Sequence, residues 1–245
     1  MYVRLLSAVF GSFGILLALT IGVGTARADA PQNVILMIGD GMGPEHVELA
    51  RRFEPDGILV IDELDSAPGF MTTDNYWGEV TDSAEAATAI ATGKKTYNSA
   101  LAMVPDPNDP YDVEKFWAAE TAWERAEANG KTTGIVTNVF INDATPGVWA
   151  AHVVDRGLYA EIAEQQAFAG VEVLLGACEE CYLPDWVAGA NIDLIEILTS
   201  DDPELGGYDY VTRDRDLMLR KIGKDGKLLG LFGGYSMTST LDRPL

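Results

Sequence analysis

Asn33-Val34-Ile35-Leu36-Met37-Ile38-Gly39-Asp40-Gly41-Met42-Gly43 runs from a continuous apolar stretch into a glycine-rich turn. Asn33–Ile38 reads as a strand buried on both faces of a parallel sheet, because such strands lose the alternation of half-exposed ones. Pro44 then suits the first turn of a helix expected through Arg52. A dinucleotide fingerprint fails at this turn, since its third glycine position falls on Pro44. What remains is one carboxylate, Asp40, at the carboxyl end of a strand, where open α/β sheets place ligands.

The same grammar repeats downstream. Thr133–Val139 reads as a strand running into Asn142-Asp143-Ala144-Thr145-Pro146, with Pro146 in the first turn of a short helix expected to carry His152. Leu158–Phe168, Ile192–Leu198 and Asp214–Ile222 read as helices, and Val171–Gly176, Tyr208–Thr212 and Leu228–Phe232 as strands. Asp112–Asn129 reads as one further helix, ended by Gly130. Gly130-Lys131-Thr132 is no phosphate loop, because a helix precedes it and the first glycine is lacking. Alternating strands and helices predict an α/β fold: a doubly wound, mainly parallel sheet with helices on both faces. No internal linker separates two domains.

Between these units lies Thr81-Asp82-Ser83-Ala84-Glu85, which opens an alanine-rich stretch closing at Gly93. Asp82 is placed to cap a helix, and Glu85 completes the spacing of a capping box. Gly93 suits the residue just past the helix end. Ser83 becomes the first helical residue, where free N–H groups and the positive end of the dipole favour an anion.

The chain has 245 residues, 47% of them hydrophobic and 22% charged, a globular composition. Lys plus Arg number 17 against 38 Asp plus Glu, a formal charge of −21. That balance excludes the basic footprint that nucleic acid or anionic membrane requires. Residues 1–28 read as a signal peptide: Arg4 precedes the apolar Leu5–Val23, and Ala26-Arg27-Ala28 is a small-x-small cleavage site. The remainder, 29–245, is expected to be exported, periplasmic or secreted, with no stable membrane insertion after cleavage. In such a compartment Cys178 and Cys181 are expected to form a local disulfide.

The topology brings Asp40, Asp82, Ser83, Asp143, Thr145 and Arg156 to one edge of the sheet. Carboxylates and hydroxyls suit hard divalent cations. A cation near Ser83 lowers its pKa and makes it a nucleophile, and the planar fork of Arg156 matches two phosphoryl oxygens. These residues suit phosphoryl transfer with metal ions in place of a histidine base. A Ser-His-Asp hydrolase is disfavoured by the lack of a Gly-x-Ser-x-Gly elbow, and His152 lies in an apolar segment where a satisfied core histidine is expected.

Asn33–Gly43 and Val80–Gly93 resemble the two N-terminal hallmark motifs of alkaline phosphatases, and Asp143–Pro146 followed by Ala151-His152-Val153 and Arg156 resembles the family's third block. The resemblance implies a phosphomonoesterase with two zinc ions and one magnesium, acting on phosphate monoesters and releasing inorganic phosphate. It makes Ser83 the nucleophile of a phosphoserine intermediate, with Arg156 holding phosphate and Asp82 orienting Arg156. It assigns Asp40 to bridge zinc and magnesium, Ser83 to zinc, and Asp143 and Thr145 to magnesium. A homodimer is compatible with it. The family's Asp-x-x-x-His and Asp-His ligands occur nowhere in this sequence, so the likeness covers the N-terminal part only, and little turnover is expected of these 245 residues alone. The competing expectation is a non-catalytic exported protein that binds phosphate or a divalent cation.

Overall fold

The computed structural model describes residues 32–64, 69–97, 99–184, 192–219 and 226–237. The expected signal peptide lies outside these residues, as does the end of the helix expected over Asp214–Ile222. The chain divides into two compact units, Met1–Ile38 and Gly39–Leu245. Of the first, residues 32–38 are described.

Those residues form no strand. Val34, Ile35 and Met37 are each more than four-fifths exposed, and Leu36 is more than half exposed. The expected buried strand at Asn33–Ile38 is therefore corrected: burial on both faces requires a ladder partner, and none is present for it among the described residues.

From Gly39 onward the elements begin with α1 (Pro44–Phe53) and α2 (Ser83–Thr92). A two-stranded antiparallel ribbon follows, β1 (Met103–Val104) with β2 (Trp117–Ala118). Then come α3 (Ala122–Ala128), β3 (Gly134–Phe140), α4 (Ala144–Gly147), α5 (Tyr159–Phe168), β4 (Val173–Ala177), α6 (Leu194–Thr199), β5 (Tyr208–Val211), α7 (Asp214–Leu219) and β6 (Lys227–Leu231). The last four strands form one sheet, ordered β3-β4-β6-β5, and every pairing is parallel. Parallel neighbours need long crossovers, which the intervening helices supply. The expected α/β fold with a parallel sheet is what the chain adopts.

Two apolar clusters hold these elements. The larger packs Ile135, Leu174, Leu229 and Leu231 of the sheet against Ala163 and Ala167 of α5 and Leu194 and Leu198 of α6. In β6, Leu228–Leu231 are all buried, the signature of an interior parallel strand. The smaller cluster surrounds α2: Ala84, Ala87 and Ala91 pack against Leu101, Ala144, Val148 and Val153. Alanine on that face lets α2 and α4 approach closely. Among the described residues no helix is long and apolar enough to cross a membrane.

Two further expectations change. Asp112–Asn129 is not one helix: a short 3-10 turn at Val113–Lys115 and the β2 strand precede α3. Thr121 caps α3, its hydroxyl accepting the Glu124 amide at 3.1 Å while Glu124 accepts the Thr121 amide at 2.7 Å, so a new helix starts there. His152 sits on no helix, since α4 ends at Gly147 and the neighbouring Val153 exchanges two backbone hydrogen bonds with Leu101.

Cys178 and Cys181 are disulfide-bonded at the end of β4.

Candidate active site

The nucleophile candidate owes its place to local sequence. Asp82 caps α2 by accepting the Glu85 amide at 3.0 Å, and Glu85 accepts the Asp82 amide at 3.1 Å. Gly93 closes the helix at φ +71°, where a side chain would be strained. Ser83 is thus the first helical residue and half-buried.

Around it the sequence-selected residues meet in hydrogen-bonded sets. Ser83 Oγ donates to Asp40 Oδ1 at 3.1 Å, and Thr145 Oγ1 donates to Asp40 Oδ2 at 2.7 Å. Asp40, on the turn before α1, therefore joins the first residue of α2 to the second residue of α4. Arg156 donates through one terminal nitrogen to Asp82 Oδ2 at 3.3 Å and through the other to Asp143 Oδ1 at 2.8 Å. Asp143 in turn caps α4, with its Oδ1 accepting the Ala144 amide at 2.7 Å.

Burial works against the Arg156 charge, but the bonds and charges of Asp143 and Asp82 outweigh it and hold its pKa above the ordinary arginine value. Two carboxylates fix the guanidinium without consuming all its N–H donors, leaving the rest of the fork for a planar or tetrahedral anion. The three aspartates outnumber the one arginine. A phosphate dianion at this place needs further positive charge, and a bound cation is the usual source.

Asp40, Asp143 and the hydroxyls of Ser83 and Thr145 are hard oxygen donors, the kind magnesium takes. Zinc is a different case, because a catalytic zinc ordinarily has three protein ligands including nitrogen or sulfur. His46 Nδ1 accepts the Gly43 amide at 3.1 Å, capping α1. Both ring nitrogens of His152 are engaged, Nδ1 at 3.2 Å from the Ala102 carbonyl and Nε2 at 2.7 Å from Glu124. Among the described residues these side chains do not make a zinc site. Among the described residues no group of three or more His, Cys, Asp or Glu side chains is gathered for an ion.

Sequence reasoning missed the buried layer behind Asp82. Glu85 and Asn75 are both almost fully buried, and Asn75 Nδ2 donates to Glu85 Oε1 at 3.5 Å. Burial pushes the Glu85 pKa up, against the bonds from Asp82 and Asn75. Asn75 also accepts the Trp77 and Glu79 amides at 2.9 Å each, fixing the hairpin that leads into α2. Nothing in the spacing of Asn75 marks it, because its partners are set by the hairpin.

Comparison with known proteins points the same way as this geometry. A family model described as alkaline phosphatase matches residues 31–245. Alkaline phosphatase 4 of Bacillus subtilis is 32% identical over 231 residues, covering 86% of this chain and 44% of its own length. The crystal structure of a cold-active alkaline phosphatase from a psychrophilic Shewanella superposes with a TM-score of 0.67 at 30% identity, over 84% of this chain and 47% of that one. A mutant of the alkaline phosphatase from the Antarctic bacterium TAB5, solved with magnesium bound, matches at 26% identity and a TM-score of 0.56, over 71% of this chain and 45% of that one. The chain thus spans less than half the length of these relatives.

Proposed function

The chain belongs to the alkaline phosphatase family, and from that premise we propose that its Ser83 site serves hydrolysis of phosphate monoesters through a phosphoserine, with little turnover expected of these 245 residues alone. The observation that carries this reading is the hydrogen-bonded set itself. Ser83 sits at a helix N-terminus with its hydroxyl on Asp40, and Arg156 stands between Asp82 and Asp143.

In this reading Arg156 binds two oxygens of the phosphoryl group, and Asp82 and Asp143 set the plane of its fork. The free amides of the first turn of α2 face developing negative charge. Asp40 Oδ1 holds the Ser83 hydroxyl proton until Oγ bonds to phosphorus. The phosphorus–ester oxygen bond then breaks, and the alcohol leaves with the proton that Ser83 gave to Asp40. Water next attacks phosphorus, the Ser83–phosphorus bond breaks, and inorganic phosphate leaves as Ser83 regains its proton. A hard divalent cation held by Asp40, Asp143 and Thr145 supplies the positive charge that three aspartates otherwise deny the phosphate. Export through a leader within residues 1–28, with 29–245 as the phosphatase part, completes the reading.

A second reading is a non-catalytic exported protein that binds phosphate or a divalent cation. It is favoured by the engagement of both histidines outside the Ser83–Asp40 pair. Hydrolysis of a chromogenic phosphate monoester at alkaline pH, with zinc and magnesium supplied, separates the two. Turnover that vanishes in Ser83→Ala supports the phosphatase reading. Turnover that survives Ser83→Ala removes it, and phosphate binding without turnover selects the second.

A further inference from the structure

We propose that Thr88 is a positioning residue for the phosphate clamp, holding Arg156 in register with Ser83 through the backbone of residues 99–102. The inference rests on the reading of Arg156 as that clamp.

Ser99 and Ala102 adopt left-handed backbone conformations, at φ +69° and +46°. Non-glycine residues persist there only where their surroundings over-determine them, and such positions cluster at functional sites. Here the determinants are specific. Thr88 Oγ1 donates to the Ala100 carbonyl at 2.8 Å and accepts the Ala102 amide at 3.0 Å, so one hydroxyl closes the bracket from within α2. The Ala102 carbonyl accepts the Ala119 amide at 2.8 Å and faces His152 Nδ1 at 3.2 Å. Leu101 exchanges backbone bonds with Val153 at 2.8 and 3.1 Å, and the Ser99 carbonyl accepts the Arg156 amide at 2.7 Å.

Thr88, Ala100, Leu101 and Ala102 have no exposed surface, whereas the Arg156 and Asp82 side chains are each about a quarter to a third exposed. A partly solvated ion pair fixes geometry weakly. The buried bracket is the firmer link between the helix that starts at Ser83 and the backbone that carries Arg156. Thr88→Val keeps nearly the same shape but strands the Ala102 amide and the Ala100 carbonyl without their partner. Thr88→Ser keeps the hydroxyl.

The test is calorimetric titration of inorganic phosphate into the full 245-residue chain with magnesium present, accompanied by amide hydrogen exchange. Thr88→Val is expected to bind phosphate about tenfold or more weakly, the scale on which small misplacements act at reacting centres. Thr88→Ser is expected to bind like the unaltered chain. In Thr88→Val the Ala102 and Arg156 amides exchange faster, while those of Leu174 and Leu229 keep their protection. Unchanged affinity in Thr88→Val, with Arg156→Ala weakened, overturns the positioning role and leaves the clamp standing. No phosphate binding by the unaltered chain overturns the clamp, and the inference with it. Should Thr88→Val unfold, the unaltered chain decides: Ala102, Val153 and Arg156 amides opening at a common rate support one bracket, and independent opening refutes it.

Discussion

At the scale of single residues the candidate site is a matter of which atoms Arg156 and Asp40 hold. Arg156 reaches Asp82 and Asp143 from two nitrogens, an arrangement that an ammonium cannot copy. Arg156→Lys is therefore expected to lose about 1.5–3 kcal/mol of phosphate binding, the worth of a charge-assisted hydrogen bond. Calorimetry reads it directly, and an unchanged affinity would argue against the fork. His152 gives a second prediction. Burial pushes Glu124 up, but the Thr121 amide and the His152 ring outweigh it, and its pKa lies below the ordinary glutamate value. A carboxylate depressed in this way stabilises the fold above its unfolded-state pKa, and that support drains as pH falls through the folded-state pKa. Thermal melts of Glu124→Gln are expected to lie below those of the unaltered chain at neutral pH and to converge with them in acid. Melting curves offset equally at every pH would contradict this. Six candidate residues were named by motif spacing, and hydrogen bonds gather them into two sets. Asn75, Glu85 as a buried acid, and Thr88 were not named, because their partners come from a hairpin and a left-handed turn that no local pattern announces.

Individual elements explain where reading the sequence succeeded. The α2 helix was legible to the residue, because Asp82, Glu85 and Gly93 each satisfy a local backbone need. The helix expected over Asp112–Asn129 failed for the same kind of reason: Thr121 and Glu124 make their own capping box in its middle. Asn33–Ile38 failed for a non-local one, since a buried strand exists only if another strand pairs with it. The α4 helix is short and tightly placed. A Cβ on Gly147 would lie 2.7 Å from Ile162 Cγ2 and 3.2 Å from Leu101 Cδ2. Gly147→Ala is expected to destabilise the fold by about 1–3 kcal/mol through overpacking. It is also expected to weaken phosphate binding, because Asp143 and Thr145 ride on that helix. A melt unchanged within error would show that Ile162 and Leu101 yield more easily than their burial suggests.

For the molecule as a whole, a formal charge of −21 means self-repulsion. Raising a non-binding salt to about 0.1 M, where the screening length is about 10 Å, is expected to raise the melting temperature. A melting temperature that falls with salt would mean that ion pairs such as Arg156 with Asp143 dominate instead. The same excess of acid makes a phosphate site improbable on charge alone, which is why Arg156 and a hard cation carry so much of the account. The most direct test of that account is rapid chemical quench of the chain with a phosphate monoester, magnesium and zinc, followed by mass spectrometry of the peptide that contains Ser83. A phosphoryl group is expected on Ser83, absent from Ser83→Ala and depleted in Arg156→Ala. Ester hydrolysis with no phosphoryl group on Ser83, or a phosphoryl group on another side chain, would contradict it.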